Sequence, residues 1–386
     1  MISITKLLTD GSNYGDSLRY NDHAALSKDG VSCEKGPVVV WNCTKSCNLK
    51  CVHCYAQAGM ERSDNEMTYR QGISFIDMLA DFNVPVILFS GGEPLMRPDF
   101  FNLAEYASKR GIRPTISTNG TLIDKDTAMR FKDIGIGYVG ISIDGTSSVN
   151  DRFRGVQGAY SAAIEGIRNC VSAGQRTGLR FTITKDNADD ITAIFDLAEK
   201  ENVDRICFYH LVYSGRANAE SDVSHAKSRE AVDLIMEKTL ELYQKGAAKE
   251  ILTVDNHADA IYLYLKVKAK DEKKAERVLN LISKNGGNRS GMAFGAVDSF
   301  GDVHPDQFTQ HVTFGNVKER NFKDIWTDKS DKLLQALKDR KKHLKGRCSS
   351  CRWLYICNGN FRARAEAAGG FWHSDPACYL TDEEIK

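Results

Sequence analysis

Cys47, Cys51 and Cys54 follow one another at Cys-x3-Cys-x2-Cys spacing, so one compact loop offers three thiolates. Near the other end, Cys348, Cys351, Cys357 and Cys378 form a second group. Seven of the eleven cysteines fall in these groups, whereas Cys33, Cys43, Cys170 and Cys207 are scattered. Clustered cysteines in a chain without a secretory leader read as metal or redox groups rather than disulfides. Isolated ones read as small buried hydrophobes. Three thiolates on a four-iron cluster leave one iron without a protein ligand, whereas four ligate every iron. Structural zinc wants four ligands. At the first group Cys43 or His53 would have to supply the fourth, but Cys43 falls where a buried strand ends and reads as core. His53, flanked by two thiols, reads as a supporting group. For the second group, spacing alone leaves zinc and an iron–sulfur cluster nearly even.

Each group needs a scaffold. From Pro37 onward short β-branched runs alternate with amphipathic helices. Strands are expected at Val38–Asn42, Pro85–Ser90, Pro114–Ser117, Tyr138–Ser142, Arg180–Thr184 and Arg205–His210. Helices are expected between them at about 68–83, 99–109, 124–134, 159–173 and 188–200, the first with Phe75, Ile76, Leu79 and Phe82 as its buried stripe. Six such alternations predict an α/β fold, a parallel sheet curling into a partial (β/α)6 barrel with right-handed crossovers. Functional residues should then gather at the C-terminal strand ends. Four segments are expected: an N-terminal extension over 1–36, the barrel over 37–217, a helical connector over 218–285 and a cysteine-bearing C-terminal domain over 286–386. Within the last two, helices are expected at 228–243, 262–282 and 321–342, and a small β-hairpin within 287–320.

The segment Cys47-Asn-Leu-Lys-Cys51-Val-His-Cys54-Tyr55 resembles the signature of the radical S-adenosylmethionine superfamily. Further matches follow in order at strand ends: Ser90-Gly91-Gly92-Glu93-Pro94, Thr118-Asn119-Gly120, Ser142-Ile-Asp144-Gly145 with Arg154 beyond it, and Tyr213-Ser-Gly215-Arg216-Ala217. The resemblance implies a 4Fe-4S cluster on Cys47, Cys51 and Cys54, with S-adenosylmethionine on its open iron. It further implies Tyr55 near the adenine, Gly91, Gly92 and Glu93 around the methionyl ammonium, and Ser142 and Arg154 near the carboxylate, with Asn119 also at the cofactor. The second group resembles the auxiliary-cluster extension of enzymes that modify peptides or tetrapyrroles. No cysteine lies between 208 and 347, so one auxiliary 4Fe-4S cluster is expected, two clusters in all.

Over the full length the chain is most similar to the tetrapyrrole-modifying branch. Three segments carry this: Met1–Leu8 with Asn13–Tyr20, Thr253–Asp259, and Gly286–Gly291 running on to Val303–Phe308. The resemblance is to deacetylases of 12,18-didecarboxysiroheme in siroheme-dependent haem formation, with haem d1 maturation enzymes as near relatives. It implies removal of two acetate arms from an iron tetrapyrrole, leaving methyl groups, with electrons from an external one-electron reductant of flavodoxin or ferredoxin type. A substrate with several carboxylates calls for guanidinium partners, and Arg19, Arg152, Arg216 and Arg289 are the candidates. Its iron calls for an axial imidazole, from His210 at a strand end or from His257. His257 is preferred, since it sits among polar residues with no evident structural duty.

The bulk figures limit the alternatives. Lys and Arg number 52 against 51 Asp and Glu, a formal net charge of +1, which argues against a nucleic-acid or anionic-membrane surface. The N-terminus lacks the charged head and apolar run of a leader, and the chain reads as cytoplasmic. A peptide-modifying enzyme of the same superfamily would usually carry a peptide-binding domain before the barrel. An electron carrier would ligate every iron, and a zinc-stabilised module would hold no iron.

Overall fold

The computed structural model describes residues 1–20, 36–247 and 249–386. Cys33 and most of the second half of the expected extension lie outside the described residues. Ten strands form one sheet: β1 Ile2–Ser3, β2 Val38–Thr44, β3 Val86–Gly91, β4 Arg113–Thr118, β5 Val139–Ser142, β6 Thr177–Ile183, β7 Arg205–His210, β8 Glu250–Val254, β9 Phe294–Val297 and β10 Val303–His304. Their order is β1-β8-β7-β6-β5-β4-β3-β2-β9-β10. All pairs from β9 through β2 to β8 are parallel, and β1 and β10 close the two edges antiparallel.

The expected six-strand barrel is therefore the middle of a longer curled sheet. β8 comes from the segment expected to be a helical connector, and β9 from the segment expected to form the C-terminal domain. The hairpin expected within 287–320 is β9–β10, in register Val303 to Val297. The first residues of the expected N-terminal extension belong to the barrel's core. Ile2, Ile4, Leu7 and Leu8 are core, because β1 pairs with β8 and the helix Ile4–Leu8 follows at once, capped by Ser3.

The helix Tyr69–Asp81 starts in a capping box between Thr68 and Gln71 and buries Phe75, Ile76 and Leu79 against Trp41 and the neighbouring helices. Two long helices expected from periodicity are broken by aspartate caps. Residues 258–285 divide into Ala258–Lys268 and Glu272–Asn285, with Asp271 accepting from Lys274 N–H. Residues 321–342 divide into Phe322–Trp326 and Lys332–Lys338, with Asp331 accepting from Leu334 N–H. A side-chain oxygen that satisfies a free helical N–H fixes a start there, whatever the apolar period says. No helix among the described residues is long and apolar enough to cross a membrane.

At the N-terminal strand ends the barrel is plugged. Glu250, 1 % exposed, forms ion pairs with Arg19 (2.8 Å), Arg176 (3.0 Å) and Arg205 (2.6 Å). Tyr14 lies under Arg113 and Tyr138 under Arg205. The opposite end is left open for chemistry.

Candidate active site

At the C-terminal strand ends a cavity opens, walled by Cys47, Cys51, Cys54 and Tyr55 on one side and by residues of β2 to β7 and Asp255, just past β8, on the others. The cysteine loop is pinned from three directions. Cys47 N–H donates to Gly59 O at 2.6 Å. Gly92 N–H donates to Thr44 O and Glu93 N–H to Ser46 O. That approach needs glycine, since a Cβ on Gly92 would sit 2.2 Å from Ser46 O and one on Gly91, at φ +111°, 2.5 Å from Thr44 O. From the far side Gly215 packs on the loop, where a Cβ would meet Cys54 O at 2.4 Å.

Arg216 braces the same loop. It donates from its backbone to Cys54 O and from its guanidinium to Cys51 O and Ala58 O. This corrects the expectation that Arg216 meets a substrate carboxylate, because those donors already hold carbonyls. Arg19 is corrected too: it belongs to the Glu250 plug at the opposite end of the strands. Arg152 is exposed on the helix Ser147–Arg154 and does not line the cavity. Arg289 is half-buried outside the cavity, and burial pulls its guanidinium down to about 10.

The remaining residues singled out by sequence gather at the cysteine loop. Glu93 is fully buried and accepts from Thr118 Oγ1 (2.8 Å), Asn119 N–H (2.8 Å) and Leu95 N–H (3.1 Å). Burial outweighs these bonds and pushes its carboxyl up to about 7. Asn119 also donates to Asn48 and faces Cys47 Sγ at 4.0 Å. The Tyr55 hydroxyl bonds Asn42 and Ser90, both at 2.9 Å, and its ring meets Phe308 edge-on. Ser142 lines the cavity. Arg154 lies 3.5 Å from Cys51 Sγ and pairs with Asp144 at 2.5 Å, and His53 approaches the same carboxylate at 3.3 Å. Burial would raise the Asp144 pKa, but Arg154 and then His53 hold it down to about 2.

Sequence reasoning missed Arg180, Asp255 and Tyr209. Arg180 projects into the cavity from β6, stacked at 4.4 Å on Tyr209 and lying across Gly140. No carboxylate comes within ion-pair distance of it among the described residues. Its signal was a charge in mid-strand: β6 begins at Thr177, so Arg180 is an interior position rather than the strand's first residue. His257 lies outside the cavity, its backbone N–H and Nδ1 on Asn360 Oδ1 and its ring stacked on Phe361. That corrects its choice as an axial ligand.

The second group also converges. Cys348, Cys351, Cys357 and Cys378 line one small cavity with Ala258, Ile261, Leu354 and Leu380. Gly287 packs against it, where a Cβ would meet Cys357 C and O at 2.3 Å. Burial raises the thiol pKa of Cys47 to about 12 and of Cys378 to about 11, and raises Cys357 as well. Such thiols ionise when a metal takes the proton's place. Among the described residues no three His, Cys, Asp or Glu side chains converge on a point where a single ion would sit. Three thiols in one group and four in the other are donor sets that iron–sulfur clusters take. Cys43 is no ligand: it is fully buried, with its thiol donating to Ser90 O. Beside the first loop Arg154 Nε and His53 Nδ1 are buried without partners, as expected beside a bound polar molecule.

Family models match twice: the radical SAM superfamily over residues 41–198 and the SPASM iron–sulfur cluster-binding domain over 292–352. The chain is 53% identical to Fe-coproporphyrin III synthase of Methanosarcina barkeri, covering 100% of this chain and 99% of that one. It is 42% identical to pre-heme d1 synthase of Dinoroseobacter shibae, covering 90% and 87%. Among solved structures, Streptococcus suis SuiB bound to its precursor peptide SuiA superposes with a TM-score of 0.74 at 20% identity, over 92% of this chain and 79% of that one. That likeness concerns the fold alone. The matches give the chain a 4Fe-4S cluster with S-adenosylmethionine and an additional iron–sulfur cluster. The chain belongs to the radical SAM superfamily, as an enzyme similar to those of haem and haem d1 formation.

Proposed function

We propose that the chain removes two acetate side chains from 12,18-didecarboxysiroheme, leaving methyl groups and yielding Fe-coproporphyrin III. Similarity over the whole length to a synthase of that product supports the reaction. The observation in the molecule that carries it is Arg180, which among the described residues has no carboxylate within ion-pair distance and lies in the cavity that the three-thiol loop faces. A guanidinium held against tyrosine in a partly desolvated site is ready to take a substrate carboxylate.

In this reading Cys47, Cys51 and Cys54 would hold the reactive cluster, which together with S-adenosylmethionine would supply radical chemistry on reduction. The chain's own residues bind and orient. Glu93 receives the methionyl ammonium, Arg154 and Ser142 the carboxylate, and Tyr55 borders the adenine, with Gly91, Gly92 and Asn119 as the backing. Cys348, Cys351, Cys357 and Cys378 hold the auxiliary cluster. An external flavodoxin- or ferredoxin-type protein supplies single electrons, and thiol-held clusters fit a reducing, cytoplasmic setting.

The test is anaerobic incubation of the reconstituted enzyme with S-adenosylmethionine, reductant and 12,18-didecarboxysiroheme. Mass loss equal to the two acetate side chains is the expected result. No change there, with turnover of another haem precursor, would move the enzyme to a different step.

A further inference from the structure

His210 ends β7 and is among the residues lining the cavity. Its Nε2 is 3.0 Å from Asp259 Oδ2. Asp259 is fully buried, and its other oxygen accepts from the Tyr379 hydroxyl at 2.6 Å. Tyr379 directly follows Cys378, a thiol of the auxiliary site, and its ring stacks with the imidazole at 27° between planes. The side chain is 3% exposed, and no hydrogen bond of Nδ1 with the described residues accompanies the Nε2 contact. His53, the other histidine lining the cavity, differs: its Nδ1 is buried without a partner.

A histidine that donates one ring N–H to a buried carboxylate and opens the other nitrogen onto a cavity has the arrangement that fixes a metal ligand's tautomer and raises its basicity. Among the described residues no group of three or more His, Cys, Asp or Glu that could hold a metal ion includes this histidine. A metal that arrives with a ligand filling the cavity would bring its other donors with it.

We propose that His210 is the axial ligand to the iron of the tetrapyrrole substrate, through Nδ1, and that Asp259 and Tyr379 are positioning residues that tie this ligand to the auxiliary-cluster loop. The inference rests on the iron-tetrapyrrole reading above. It gives the C-terminal domain a part in substrate binding: the residue after Cys378 sets the orientation of the imidazole. A shift of the auxiliary loop is thereby felt at the substrate's iron.

The experiment uses the holoenzyme with both clusters, titrated with ferric 12,18-didecarboxysiroheme and, separately, with its iron-free counterpart, read by visible absorption and low-temperature EPR. In the wild type the iron form shows imidazole ligation. H210G loses that signature and regains it with added imidazole, while the iron-free compound binds wild type and variant alike. D259N keeps ligation but raises the iron's midpoint potential and weakens the iron form on the order of tenfold, and Y379F shifts the potential in the same direction by less. H257A leaves every spectrum unchanged. An H210G spectrum identical to the wild type's, loss of the signature in H257A instead, or loss of both compounds in H210G without imidazole rescue overturns the assignment. A wild type that binds neither compound overturns the iron-tetrapyrrole reading itself.

Discussion

The two thiol sites are built differently, and the difference separates their duties. The first group sits in a loop at the mouth of the barrel, pinned by glycines of β3 and of the segment after β7, with Arg154 beside Cys51 and open volume on its inner side. The second group lines a smaller cavity walled by apolar side chains, with four thiols and no comparable room for a substrate. Each region holds one buried arginine–aspartate pair, Arg154–Asp144 and Arg364–Asp375. The first pair faces the cavity. The second binds chain to chain, with Arg364 also donating to Leu211 O and Asp255 O. One region is shaped to receive molecules, and the other holds the barrel wall in place.

Removing a thiol gives the largest expected contrast. C51A should drop 5′-deoxyadenosine formation to the uncatalysed background, whereas C378A should keep reductive cleavage of S-adenosylmethionine while iron falls by about half, as expected when one of two similar clusters is lost. Product analysis and anaerobic iron determination read both, and cleavage surviving in C51A would erase the distinction.

Next come the buried ion pairs. D144N and D375N each leave an arginine uncompensated and should lower stability by about 3–5 kcal/mol in denaturant unfolding. Only D144N should also weaken S-adenosylmethionine binding. Equal loss of that binding in both variants would mean that the pairs act through the fold alone.

Smaller effects are expected from the glycines. G215A and G287A place a Cβ where φ is +64° and +67° and backbone lies 2.4 Å and 2.3 Å away, costing on the order of 1–3 kcal/mol from backbone conformation alone. G215A should shed the first cluster and G287A the second, which the EPR signals of the reduced protein would distinguish.

The smallest effect is a pH dependence. Glu93 must be charged to receive an ammonium, and burial pushes its pKa up to about 7. Affinity for S-adenosylmethionine should be full above that pH and fall about tenfold for each unit below it. Calorimetric titration at several pH values checks this. E93Q should bind weakly and without the dependence.

What could be read from sequence follows from how local each signal is. β2 to β7 and their helices were legible because β-branched runs alternate with periodic apolar stripes. β8 and β9 are not legible as members of the barrel sheet, since β8 pairs with β1 and β9 with β2, partners far along the chain. The cysteine loop and Gly91–Glu93 were legible because contiguous residues carry them. Asp144 with Arg154, and His210 with Asp259 and Tyr379, were not: the last two contacts join residues 49 and 120 positions apart. The arginine candidates Arg19 and Arg216 failed for a related reason. An arginine's charge is visible in a sequence, but which acceptors already hold it is not.

The central claim is that the first thiol group leaves an iron open where the second does not. EPR of the reduced, reconstituted protein, recorded with and without S-adenosylmethionine and repeated with its methionyl nitrogen as 15N, tests it directly. Addition should perturb one of the two cluster signals, with nitrogen coupling on that one alone, and leave the other unchanged. Two unperturbed signals, or coupling on the cluster that C378A abolishes, would contradict the account.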